Sequence, residues 1–171
     1  DDDKKKIKQY LKSEKFPVVT ITGAGGVGKT SLALKIIEEI TQSKTNLFDS
    51  ILWLSAKENK LSPLGIEEIE PTLKSYEELL DTFINLFNFT DILTNDSIVE
   101  KEKLTNTIID LSENILVVID NLETITDERI INFILDAPVK VKFLVTSRKG
   151  IGQVERRYQL KELKAKEAIY L

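Results

Sequence analysis

A chain of 171 residues, 42% hydrophobic and 30% charged, is long enough to bury a core of its own, so a single domain is expected over residues 1–171. A net charge of −4 and a pI near 5.1 give no long-range attraction for a polyphosphate backbone, which argues against direct nucleic-acid binding. With no cysteine and no histidine, disulfides, cysteine-based zinc sites, thiol nucleophiles and histidine bases are excluded, leaving carboxylates, Lys, Arg, hydroxyls and backbone amides for any chemistry.

In chain order, residues Ile7 to Lys15 read as a short polar helix that Pro17 stops. The β-branched run Val18-Val19-Thr20-Ile21-Thr22 then reads as a buried strand, and Ala33, Ile36, Ile37 and Ile40 recur at helical spacing after it. Ser50 to Ser55 is a second strand, apolar on both faces as a sandwiched parallel sheet requires. Lys57 to Leu73 is polar and broken by Pro63, Gly65 and Pro71, so it reads as an excursion. Tyr76, Leu79, Leu80, Phe83, Ile84 and Phe87 make an amphipathic helix, and Leu104, Ile108 and Leu111 mark another. Ile115 to Ile119 is a third strand, Ile130 to Leu135 a short helix ended by Pro138, and Val141 to Val145 a fourth strand. A fifth strand around Tyr158 to Leu160 precedes a terminal helix running to Leu171. Strands alternating with helices indicate an α/β fold in three layers, a parallel sheet covered on both faces.

No apolar run approaches the ~18 residues that cross a bilayer, and the amino terminus Asp1-Asp2-Asp3-Lys4-Lys5-Lys6 has no signal-peptide stretch, so a cytoplasmic location without a membrane partner is expected. The chain contains no Met, which points to a fragment of a longer multidomain polypeptide.

Residues Gly23-Ala24-Gly25-Gly26-Val27-Gly28-Lys29-Thr30 match G-x-x-x-x-G-K-[ST] at every fixed position, between an expected strand and an expected helix. Glycines let successive backbone N–H groups converge on a phosphate, and the following helix adds the positive end of its dipole. Lys29 is expected to neutralise the β- and γ-phosphates of ATP, and the Thr30 hydroxyl to take a position on Mg²⁺. The apolar strand Ile115-Leu116-Val117-Val118-Ile119 delivers Asp120 at its end, where open α/β sheets place their ligands, so Asp120 is the second expected Mg²⁺ holder. Where many P-loop ATPases carry a second acid beside that Asp, this chain has Asn121; Glu123 is the candidate for orienting the attacking water. Thr146-Ser147-Arg148 ends the fourth strand at the same edge, and an arginine there suits bidentate contact with a γ-phosphate.

These stretches, extended through Ser31-Leu32-Ala33 and joined by Phe48-Asp49 with Trp53, Asp120-Asn121-Leu122-Glu123, Leu144-Val145-Thr146-Ser147-Arg148 and a tail from Leu160 to Ala168, resemble the NB-ARC branch of the STAND ATPases. The resemblance implies a five-stranded parallel sheet ordered 5-1-4-3-2 and a nucleotide cradle formed by Gly23 through Ser31. It also implies that Arg148 reads the γ-phosphate; with Lys29, Asp120 and Glu123 from the reading of the residues above, Arg148 completes the expected catalytic set. ADP would then hold an inactive state, and ATP would favour a homo-oligomer of the full-length protein, in bacterial regulation or antiphage defence. The family's paired aspartates are here Asp120-Asn121, so either Glu123 supplies the base or hydrolysis is slow. The family's adenine-contacting segment, its helical module and its winged-helix module would be other domains of the same polypeptide. Two further readings are an AAA-like motor or loader ATPase, which would need a trans-acting arginine and a basic channel loop, and a module that holds nucleotide without turnover.

Overall fold

The computed structural model describes residues 2–43, 47–56, 59–62, 65–68, 73–94, 97–112, 114–152 and 154–161. Helix α1 (Asp2–Lys12) buries Ile7 and Leu11, four residues apart and so on one face. Pro17 precedes strand β1 (Val18–Thr22), in which every residue is buried. Helix α2 (Lys29–Thr41) follows, then strand β2 (Ser50–Ser55) and two short strands, β3 (Asn59–Ser62) and β4 (Gly65–Glu68), paired as an antiparallel hairpin. Helix α3 (Tyr76–Leu86) starts from a reciprocal cap: the Glu78 N–H donates to the Ser75 hydroxyl, and the Ser75 N–H donates to the Glu78 carboxylate. Helix α4 (Ile98–Leu111), strand β5 (Ile115–Asp120), helix α5 (Glu128–Asp136), strand β6 (Val141–Ser147) and strand β7 (Glu155–Gln159) complete the described chain.

The main sheet has five strands in the order β2-β5-β6-β1-β7, all pairs parallel. Numbered as sheet strands along the chain, this is the expected 5-1-4-3-2 order. Alternate residues of the sheet feed two cores. Val117, Ile119, Phe143 and Val145 meet Leu79, Leu80 and Phe83 of α3, Ile109 of α4 and Ile130 and Ile134 of α5. On the other face Val19, Ile21, Val118 and Leu144 meet Ile7 and Leu11 of α1 and Ala33, Ile36 and Ile40 of α2. A strand buried on both faces must be apolar throughout, which is why β5 carries an unbroken run up to Asp120.

Four expectations need correction. The first helix spans Asp2–Lys12 rather than Ile7 to Lys15, its acidic first turn and basic last turn both suiting the helix dipole. The excursion between Lys57 and Leu73 holds the β3–β4 hairpin. The fourth strand runs on through Thr146 and Ser147, and the last strand lies at Glu155–Gln159, its N-terminal half polar because it is a sheet edge that pairs only with β1. The expected terminal helix, and the tail beyond residue 161, lie outside the described residues.

Candidate functional site

Parallel pairing brings the C-terminal ends of β1, β5 and β6 to one edge of the sheet, and the loops that follow them form the site. After Thr22 the chain turns through Gly23–Gly28 into α2. Gly28, the residue capping α2, is left-handed at φ 96° and ψ 19°, a region a side chain strongly disfavours, although open space surrounds it. Gly23 is required for a different reason: a Cβ there would stand 2.9 Å from both the Leu160 carbonyl oxygen and Val27 Cγ1. The loop is thus fitted tightly between the end of β7 and its own Val27, and it leads directly into the N-terminus of α2.

Lys29 is buried and its Nζ donates to the carbonyls of Gly23 (3.0 Å) and Ala24 (2.9 Å), so the ammonium is held within the loop. The Thr30 hydroxyl donates to Asp120 Oδ1 at 2.8 Å across 90 residues of sequence. Thr146, from the strand between β1 and β5, donates its hydroxyl to the same oxygen at 2.5 Å and accepts the Asn121 N–H at 2.9 Å. Asp120 is 2% exposed, so this one carboxylate oxygen ties together three elements under the loop: the start of α2, the end of β5 and the end of β6.

Asn121 is left-handed at φ 67°, and the bend it makes turns the chain into a short 3-10 turn, Leu122–Thr124. Leu122 of that turn is buried in the core, and the Thr124 hydroxyl donates to the Ala56 and Asn121 carbonyls (2.8 and 3.0 Å), so Glu123 is rigidly carried. Arg148 Nε lies 3.3 Å from Glu123 Oε1, and the far end of the guanidinium reaches the P-loop beside Gly25.

Gly25, Gly26, Gly28, Lys29, Thr30, Ser31, Asn121, Glu123, Thr146 and Arg148 line one cavity of about 320 Å³. Gly23 and Ala24 line its neighbour together with Arg148 and Lys149, and Val27 packs against Gly23. The P-loop, Asp120, Glu123 and Arg148, expected from the sequence to form the site, therefore gather at one sheet edge. Two features are visible only in the fold. In the sequence Thr146 is a residue at the end of a strand; in the structure it is the hydrogen-bond link between β5 and β6. The other is the Glu123–Arg148 pairing, which only the β5–β6 adjacency brings about.

A parallel sheet of this order, with a glycine-rich loop leading into a helix at its C-terminal edge, defines the P-loop ATPase fold. Solved structures with this fold include the Walker-type ATPase of Pyrococcus abyssi (TM-score 0.60, 14% identity, 99% of this chain and 55% of that one). Others are the ORC2 protein of Aeropyrum pernix in its ADP form (TM-score 0.59, 13% identity, 93% and 47%) and a DNA polymerase III gamma subunit-related protein from Thermotoga maritima (TM-score 0.54, 10% identity, 98% and 49%). The chain spans about half the length of each of these proteins. The chain belongs to the NB-ARC domain family, whose model matches residues 1–169, and is a nucleotide-binding P-loop ATPase domain. No curated protein matches it.

The donors present fit both a nucleotide and Mg²⁺. The hydroxyl of Thr30 and the carboxylate of Asp120 are hard oxygen donors of the kind Mg²⁺ takes together with phosphate oxygens and water. The amides at the start of α2 and the ammonium of Lys29 are the donors a polyphosphate takes. Among the described residues no helix is long and apolar enough to cross a membrane.

Proposed function

We propose that this domain is the ATP-hydrolysing switch of a STAND signalling ATPase, holding ADP in an inactive state and ATP in one that assembles. Gly23 through Ser31 cradle the phosphates, Lys29 neutralises the β- and γ-phosphates, and Thr30 and Asp120 hold Mg²⁺, which supplies charge neutralisation when bound. Glu123 orients a water and takes its proton as the water oxygen bonds to the γ-phosphorus. The bond between that phosphorus and the β–γ bridging oxygen breaks, and ADP departs with the electron pair. Asn121, standing where a second acid is common, makes the step slow. Arg148 pairs with the γ-phosphate and so tells ATP from ADP.

The observation that carries this reading is the convergence of Thr30, Thr146 and the bend at Asn121 on Asp120, with Glu123 and Arg148 facing the same cavity. The remaining domains, homo-oligomer formation and a role in bacterial regulation or antiphage defence follow from the family and are part of the proposal. The test is phosphate release by the full-length polypeptide, wild type against Glu123→Gln and Lys29→Ala, with mass followed by light scattering. Turnover that either variant leaves intact refutes the assigned role of that residue. ATP-independent mass refutes the assembly switch. Nucleotide binding without any turnover in the wild type would instead make the domain a holding module.

A further inference from the structure

One guanidinium faces two anionic claimants at this site. Arg148 springs from the end of β6 and its side chain is 67% exposed, free to swing; Glu123, on its anchored 3-10 turn, is 15% exposed and fixed. Both Glu123 carboxylate oxygens are shielded from solvent and receive no hydrogen bond among the described residues, so Arg148 is the counter-charge of that carboxylate. Its neighbour Arg157 is already engaged, its guanidinium donating to Glu155 Oε1 at 3.1 Å from Nε and 2.5 Å from a terminal nitrogen.

We infer that Glu123 is a specificity-determining residue: its carboxylate competes with the γ-phosphate for Arg148, so the pair is a latch that only a nucleotide with a γ-phosphate opens. The inference rests on the roles given above to Arg148 and Glu123. A γ-phosphate offers roughly two negative charges and three acceptor oxygens, against one charge on the carboxylate, and so outbids it for the guanidinium. ADP presents no such group, and Arg148 stays on Glu123, where the carboxylate is not available to a water. When Arg148 moves to the γ-phosphate, the same movement leaves Glu123 free to accept a hydrogen bond from water. Recognition of ATP and release of the base are then one event. The latch also has a measurable consequence, because breaking it opposes ATP binding and not ADP binding.

Glu123→Gln removes the competitor and is expected to tighten binding of a non-hydrolysable ATP analogue. It also removes a negative charge near the polyphosphate, which would tighten binding without any latch. A double-mutant cycle with Arg148→Ala separates the two, since through-space repulsion acts in both backgrounds and the latch only where Arg148 is present. The intact polypeptide is titrated with a β,γ-imido ATP analogue and with ADP in four forms: wild type, Glu123→Gln, Arg148→Ala and the double variant, each checked by thermal unfolding. For the analogue, the tightening caused by Glu123→Gln should be about two- to fivefold greater with Arg148 present than without it, the range expected for a partly exposed ion pair. For ADP the two backgrounds should agree. A ratio of one for the analogue overturns the latch while leaving the sensor role intact, provided Arg148→Ala weakens analogue binding. If Arg148→Ala leaves the analogue affinity unchanged, the sensor role fails and the latch with it.

Discussion

Replacing Thr146 by Val keeps the shape of a fully buried side chain and removes only its hydroxyl, so it isolates the hydrogen-bond link between β5 and β6. In the structure that hydroxyl gives 2.5 Å to Asp120 Oδ1 and receives the Asn121 N–H at 2.9 Å, with Thr146 1% exposed. A hydrogen bond to an ionised carboxylate is worth about 1.5–3 kcal/mol, and a buried N–H left without an acceptor costs about 1–3 kcal/mol. Asp120 keeps the Thr30 hydroxyl, and Val gains some apolar transfer energy, so a net loss of about 3 kcal/mol is expected. In a domain of this size that corresponds to a fall in Tm of roughly 6–12 °C. Urea unfolding with an unchanged slope would measure it directly, and Thr146→Ser, which retains the hydroxyl, should recover most of the loss. A Val variant within about 0.5 kcal/mol of wild type, or a Ser variant as damaged as Val, would refute the claim that this hydroxyl joins the strands.

Lys29→Ala should weaken ADP and ATP binding at least about a hundredfold by calorimetry, because the phosphates lose their fixed counter-charge inside the cradle. Gly28→Ala should destabilise the domain by about 1 kcal/mol through its left-handed backbone alone, since no atom lies within 4 Å of the added carbon; urea melts check it. Asp127, which caps α5 and also accepts the Tyr76 N–H at 3.0 Å, is held down to about 2, chiefly by its hydrogen bonds from Arg129 and against a smaller opposing effect of burial. A depressed carboxylate contributes stability that is complete above its unfolded pKa of about 4 and is lost as pH falls through about 2. Asp127→Asn should therefore flatten that part of the pH–stability curve by about 1 kcal/mol, discounted for solvent around the pair, as read from urea melts between pH 7 and pH 3.

The sequence carried the phosphate cradle most openly, because a polyphosphate demands glycines, a lysine and a hydroxyl at fixed spacing and nothing else in the fold asks for that combination. The central strands were legible for a related reason: burial on both faces leaves β5 no polar position before Asp120. The β3–β4 hairpin was hidden by its polar composition and by prolines that read as loop punctuation. The first helix was misplaced because its opening is a run of charges without apolar periodicity, and only Ile7 and Leu11 commit it to the core. Thr146 could not be read as an Asp120 partner, since a threonine inside a strand is what β-propensity alone provides. Glu123 and Arg148 lie on separate elements that only the β5–β6 adjacency brings together. Their individual roles were expected, but their pairing was a property of the fold.

The central claim is that Thr30 and Asp120 form a Mg²⁺ site beneath a nucleotide cradle, and ADP titration with and without Mg²⁺ tests it most directly. In the wild type Mg²⁺ should tighten ADP binding. In Asp120→Asn, which keeps an acceptor for the Thr30 and Thr146 hydroxyls and removes only the charge, most of that tightening should be lost while Mg²⁺-free ADP affinity stays nearly unchanged, as expected of a carboxylate that meets the nucleotide only through the metal. Equal losses in both conditions would contradict the Mg²⁺ role and leave Asp120 only the structural acceptor that its hydrogen bonds to Thr30 and Thr146 already make it.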